Sequence, residues 1–297
     1  MRFRGYLSAL SLTIAMTVAI RPASAQVVYE GFQLTFPDYD TGTGLSGAWE
    51  QGGFNAFAAG YTTSEISLSF RGLETSGGQI AGAAFTRING SIRNLAQSLG
   101  ADNTTVYLAF LLRPLGTLND GVFNGFFGVT LAGGPANELF VGKPGGGAVE
   151  EYVIEHRGGF GQVSSGMSMA VGQTAFLVVR ADFLPGNDMF TLYTNPVPGD
   201  PEPTNGAVKA DLNLGVVSRL GIYSTGAFAV DEIRIGTTYA DVTPRSSFAG
   251  TPGAANCRGK TVAALAQEHG GLANAASALG YASVAALQNA IARFCAG

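Results

Sequence analysis

Between residue 26 and about residue 244 the chain never sustains one pattern for long: short apolar or alternating runs are cut by Gly, Pro, Asn or Asp. Such punctuation leaves no room for long helices, and alternation within the runs suits strands that bury one face. The strongest runs are 104–113, 122–131, 138–141, 149–156, 174–183, 188–194, 216–223 and 228–235. Many short strands joined by turns predict an all-β chain folded as an antiparallel sandwich. The 43 glycines and 12 prolines supply the turns.

Local detail supports that reading. In 174–183 one face carries Ala175, Leu177, Val179, Ala181 and Phe183, while the other runs from Phe176 and Val178 to Arg180 and Asp182. One face packs, and the other is expected to become wet toward its end. Leu184-Pro185-Gly186-Asn187 then offers a fixed φ followed by residues that tolerate positive φ, which predicts a hairpin with 188–194. In 228–235 the apolar positions change phase at Asp231, and a β-bulge there would reconcile the two halves. The only helical hint in this region is 91–99.

The ends obey different physics. Residues 1–25 combine Arg2 and Arg4, an apolar run over 6–20, and Ala23-Ser24-Ala25. That layout predicts a secretory signal peptide; the run is shorter than the roughly 18–20 residues that cross a bilayer, and no later segment reaches that length. The expected address is export to the periplasm, cell surface or medium. Residues 245–256 read as a linker. Residues 257–297 read as a small unit of three helices over 261–269, 272–279 and 283–294, with Ser283 as an N-cap. The two cysteines, Cys257 and Cys295, bracket it, and export makes a disulfide between them the expected state.

Charge excludes one class of partner. Charged residues are 13% of the chain, and residues 26–243 hold 10 basic and 20 acidic side chains. Nucleic acid binding needs a basic surface, and the last predicted helix carries only Arg293. Residues 244–297 hold 4 basic and 1 acidic side chain, and the helical unit reads as a docking element for a protein partner.

Several segments carry a family likeness: Val28-Tyr29-Glu30-Gly31-Phe32, Gly47-Ala48-Trp49, Phe110-Leu111-Leu112-Arg113, Leu139-Phe140-Val141-Gly142-Lys143, Leu192-Tyr193-Thr194-Asn195-Pro196 and the stretch from Asp231 through Ile235 to Pro244. Together they resemble exported bacterial proteins of the concanavalin A-like lectin/glucanase superfamily, particularly the LamG-like members that often carry a PEP-CTERM sorting tail. The resemblance covers 26–244 and implies a jelly-roll β-sandwich. The motif, spanning helix and basic cluster of such a tail do not close this chain; the Cys-bracketed segment stands there instead.

Catalytic patterns are weak. Glycosidases of this superfamily place acids at alternate positions of one strand, and Glu150-Glu151-Tyr152-Val153-Ile154-Glu155 comes nearest, with Val153 in the central acidic place. A solvated strand face explains those glutamates equally. Asp231 and Glu232 are adjacent and expected to point to opposite faces. With a single histidine, His156, before the tail and no G-x-S-x-G elbow, no serine triad is assembled, and no catalytic residue is assigned.

Binding has more material. Asp182, Asn187 and Asp188 bring hard oxygens together across a hairpin, the chemistry of calcium, although turn formation uses the same residue types. Trp49, Tyr61, Tyr193 and Tyr223 are the aromatic candidates for stacking on a sugar, with a core role as the competing account. The resulting expectation is an exported, non-catalytic lectin-like module that binds a carbohydrate or other cell-surface component, with no cofactor unless calcium. An atypical glycoside hydrolase or polysaccharide lyase is one alternative, and a structural adhesion or matrix protein another.

Overall fold

The computed structural model describes residues 26–296 apart from 34–35, 52–59, 71, 135–136, 148, 246–247, 252 and 280. The expected leader, 1–25, lies outside the described residues. The first part of the chain runs through β1 (Gln26–Glu30), β2 (Leu45–Gln51), β3 (Tyr61–Ser64), β4 (Gln79–Gly82), β5 (Asn89–Leu99), β6 (Thr104–Pro114), a single turn α1 (Val122–Gly125), β7 (Phe127–Gly134) and β8 (Asn137–Lys143). It continues through β9 (Glu151–His156), β10 (Phe160–Ser168), β11 (Ala175–Phe183), β12 (Asp188–Thr194), β13 (Ala207–Leu212), β14 (Val217–Ser224), β15 (Phe228–Gly236) and α2 (Tyr239–Val242). Three helices follow: α3 (Cys257–His269), α4 (Leu272–Ala278) and α5 (Val284–Ala296).

The strands form two antiparallel sheets. Among the described residues one has eight strands, ordered β13, β12, β11, β6, β15, β4, β3 with β1 also on β15; the other has seven, ordered β10, β9, β8, β7, β14, β5, β2. The expected all-β antiparallel sandwich with helices at the C-terminal end is therefore the observed architecture. Period two explains the interior. Val106, Leu108, Phe110 and Leu112 of β6, with Leu177, Val179 and Ala181 of β11, meet Val129 and Leu131 of β7, Leu139 and Val141 of β8, and Leu220 and Ile222 of β14. Each of these residues buries its side chain while its neighbours point the other way.

Several expectations need correction. Residues 91–99 belong to strand β5, because Arg93 and Leu95 both turn inward at period two and the strand pairs with β14 and β2; tertiary pairing overrides the helical spacing. The run 122–131 is not one strand: Phe123 and Asn124 adopt left-handed φ of 54° and 57°, and the strand starts only at Phe127. The second face of β11 does not simply become wet. Phe176 and Val178 lie in a second apolar layer, covered by Leu68, Leu73, Tyr239 and Val242. Asp182 is buried too, because Arg180 Nε and Thr105 Oγ1 donate to it at 2.9 and 2.7 Å.

The bulge at Asp231 is present: the pairing of β15 with β6 shifts between Asp231 and Arg234, and Glu232 has φ 54°. Its effect reverses the expected opposition of the two acids. Ser67 Oγ donates to Asp231 at 2.5 Å and to Glu232 at 3.2 Å, so both carboxylates reach one side. Leu68 N–H, Ser76 N–H and Tyr29 O–H complete this buried cluster, with Arg234 as the cation on Glu232. The pair thereby fastens segment 67–76 over the eight-stranded sheet.

A second buried cluster joins the sheets. Glu30 of β1 accepts from Phe32 N–H, Tyr39 O–H, Trp49 Nε1–H and Arg93 Nη1–H at 2.9, 2.7, 3.1 and 2.7 Å. Glu30 and Arg93 belong to different sheets, so this ion pair clamps the two layers at one end. A buried pair is costly to break because the remaining charge has no water. Glu30→Gln is expected to destabilise the sandwich by about 3–5 kcal/mol, read as a lowered urea midpoint at unchanged slope.

The C-terminal helices have their own apolar cluster of Leu265, Ala275, Ala276, Leu287 and Ile291. Ser283 Oγ accepts from Ala286 N–H, as an N-cap should, and α3 begins earlier than expected, at Cys257 itself. Cys257 and Cys295 are joined by a disulfide. No helix among the described residues is long and apolar enough to cross a membrane. So small a core depends on its cross-link, which contributes about 4 kcal/mol in the chain-entropy picture for a loop of this length. Reduction should melt α3 to α5, seen as loss of helical circular dichroism, while the aromatic near-ultraviolet signal of the sandwich persists.

Candidate functional site

Period two also decides what the outside of the seven-stranded sheet offers. Register places Gly221, Thr130, Phe140 and Glu155 in one row across β14, β7, β8 and β9. The adjacent row reads Tyr223, Gly128, Gly142, Val153 and Ser164, from β14 to β10. Two glycines at its centre leave that part of the face without side chains. A Cβ on Gly128 would come within 2.8 Å of the Phe140 ring, so that ring keeps its place only because Gly128 is bare.

Above this face lies a cleft of about 630 Å³, within the roughly 300–1,000 Å³ typical of small-ligand sites. Phe123, Phe126 and Phe140 form an apolar wall, Glu155, Arg157 and Gln162 the polar side, and glycine loops at 145–147 and 158–159 the rim. Gln162 Nε2–H donates to Glu155 at 2.8 Å. Arg157 pairs with Glu138, and its guanidinium stands 4.5 Å from the centre of the Tyr223 ring. Stacking on Tyr223 and pairing with Glu138 hold the arginine in one orientation.

Phe123 is the outward element of the site, with 61% of its surface exposed. It sits in the left-handed turn α1, where two consecutive non-glycine residues each cost of order 1–3 kcal/mol. The surrounding chain over-determines that turn. Thr225 Oγ1–H donates to Val122 O at 2.5 Å, Gly146 N–H to Phe123 O at 3.3 Å, Lys143 Nζ to Asn124 O at 2.6 Å, and Thr225 N–H to Phe126 O at 2.7 Å. Gly121 and Gly125 are needed at its ends: their φ are 103° and 62°, and a Cβ would strike Thr225 O at 2.1 Å or Asp120 O at 2.2 Å.

The residues expected to bind a ligand are elsewhere. Trp49 is 4% exposed and its indole serves Glu30. Tyr61 packs against Phe228 with its hydroxyl at Ser224, and Tyr193 is buried with its hydroxyl donating to Glu202 at 2.8 Å. Tyr223 reaches the right face but is 1% exposed beneath Arg157. These rings gain more by filling the interior than by facing water. Asp182 is engaged by Arg180 and Thr105, and Asp188 accepts from Leu184 N–H at 3.0 Å and Leu214 N–H at 2.7 Å, which is turn chemistry. Asn187 is exposed in the same hairpin. Among the described residues no group of three or more His, Cys, Asp or Glu side chains comes together to hold a metal ion.

Glu151 and Glu155 do share a face, with buried Val153 between them. Glu151 accepts from Ser164 and is partly exposed, whereas Glu155 is buried at the cleft. Burial raises the Glu155 carboxyl above its ordinary value. Burial raises Glu138 as well, against the pull of Arg157 and Arg219. Sequence reasoning missed Phe123, although Asn124-Gly125 immediately after it is a turn signal that splits the apolar run. It missed Gln162 because only strand register brings it to Glu155, and Arg157, two residues beyond Glu155, because its partner Glu138 lies on the neighbouring strand.

No family model and no curated protein matches the sequence. Similar solved structures include an endo-1,3-β-glucanase from Streptomyces sioyaensis, at 11% identity over 73% of this chain and 98% of that chain, TM-score 0.42. The globular domain of T. cruzi calreticulin is similar at 12% identity over 62% and 86%, TM-score 0.39, and a GH131 β-glucanase catalytic domain from Podospora anserina at 14% over 63% and 85%, TM-score 0.40.

A raised carboxyl pKa has a definite sign in stability. The folded chain keeps the Glu155 proton to higher pH than the unfolded chain, so this group favours folding at low pH and ceases to as pH rises through the raised value. Glu155→Gln should flatten the fall of the urea midpoint with rising pH from about 4 upward; an identical slope in both proteins would contradict the burial of this carboxyl.

Proposed function

We propose that the chain is an exported, lectin-like module that binds carbohydrate without catalysis in the cleft over the seven-stranded sheet. The observation that carries this reading is Phe123: an exposed ring, on a strained and fully braced turn, beside buried polar groups. Strain held by so many hydrogen bonds marks a conformation retained for use. A pyranose presents an apolar C–H face and a rim of hydroxyls, and the cleft offers the complement. Phe123 and Phe126 supply the apolar contact, and Glu155, Gln162 and Arg157 supply acceptors and donors.

A glycan hydrolase or lyase is the second reading, favoured by one observation. Glu155 is a cleft carboxyl whose pKa is raised by burial, the direction a general acid needs, and Glu138 lies on the next strand beside Arg157. The two readings separate cleanly. A glycan array probed with the processed protein is expected to give hits that Phe123→Ala weakens at least about tenfold, the loss of a contact worth roughly 1.4 kcal/mol. Absence of hits with folded protein would refute carbohydrate binding. Release of reducing sugar from a bound glycan, abolished by Glu155→Gln, would establish the enzyme instead.

A further inference from the structure

Lys143 has no exposed surface, yet it carries an ammonium group at the end of β8, under the rim of the cleft. Its Nζ donates to Asn124 O at 2.6 Å and lies 3.5 Å from Pro144 O. One carbonyl belongs to the left-handed turn that presents Phe123, and the other begins the glycine loop on the facing side of the rim. Gly146 of that loop donates its N–H back to Phe123 O. The ammonium is thus the point where the turn and the loop are tied together.

We infer that Lys143 is a positioning residue: its ammonium tightens the left-handed Phe123 turn through Asn124 O, and loss of the proton loosens the ring against the hydrogen bonds from Thr225 and Gly146 that remain. An ammonium bonds a carbonyl about twice as strongly as a neutral amine does. A left-handed Asn is kept only while its surroundings outweigh the strain. Burial lowers the Lys143 pKa to about 8, with Glu150 acting the other way. Glu150 is an exposed carboxylate that accepts from Asn119 Nδ2–H, so it tempers the shift without pairing with the buried group. The hydrogen-bond partners of Nζ are the carbonyls of Asn124 and Pro144, and the strand partner is Phe127, none of which titrates. The clamp therefore works below about pH 8 and loosens above it.

That the freed ring matters for sugar binding rests on the function proposed above; the clamp itself does not. The test is accordingly made without a glycan. Phe123→Trp places an indole at the rim, distinguishable from buried Trp49 by acrylamide quenching. Its rotational freedom, by time-resolved anisotropy, is expected to rise between about pH 6 and about pH 10, with a midpoint at about 8. In Phe123→Trp/Lys143→Met the freedom should be high throughout and independent of pH. A constant anisotropy across that range in the folded Lys143 protein would overturn the inference, and this titration decides the matter even where Lys143→Met fails to fold. A pH-dependent ring in a protein that binds no glycan would retain the clamp and reject the function.

Discussion

Alternation of side chains across two facing sheets is the constraint on which the rest of this molecule depends. Each central strand contributes one row to the shared interior, and that demand absorbs most of the large apolar residues. What remains is sorted by the same period. On the eight-stranded sheet the outer row is apolar as well, so loops and α2 must cover it. On the seven-stranded sheet the outer rows hold glycines, Thr130, Glu138 and Glu155, so this side stays open enough for a cleft.

Charge is used sparingly, and the charges that fasten the sandwich lie inside. Glu30 and Arg93 join the layers, and Asp231, Glu232 and Arg234 anchor a covering segment where the central strand bulges. Each buried acid is surrounded by donors from different parts of the chain, which offsets the loss of water and makes the arrangement specific. Such groups look like functional carboxylates when seen as sequence. Their satisfied hydrogen bonds show them to be fastenings, whereas Glu155, bonded to Gln162 at a cleft, keeps an approach from outside.

The aromatic residues illustrate the same division. Trp49, Tyr61, Tyr193 and Tyr223 are the ring types most often associated with sugars, and in this fold they pack: the polar ends of the first three find internal partners, and the Tyr223 ring lies under Arg157. Phe123 is a less telling residue type placed in a far more telling position. Its exposure comes from two left-handed residues, and those persist because Thr225, Gly146 and Lys143, distant in sequence, bind the carbonyls of the turn.

Local chemistry was enough to determine a good deal: the strand-rich region, the hairpin at 184–187, the bulge at Asp231, the three C-terminal helices and the pairing of the only two cysteines. Each depends on neighbours in sequence or on a residue type with one plausible partner. Tertiary structure decided which face of each strand is covered, that 91–99 is a strand, and that 122–125 breaks from the strand after it. It also decided where the cleft lies. A site made from β8, β9, β10 and two glycine loops exists only through the register of hydrogen bonds between strands, and register is a property of pairs of segments that no single segment encodes.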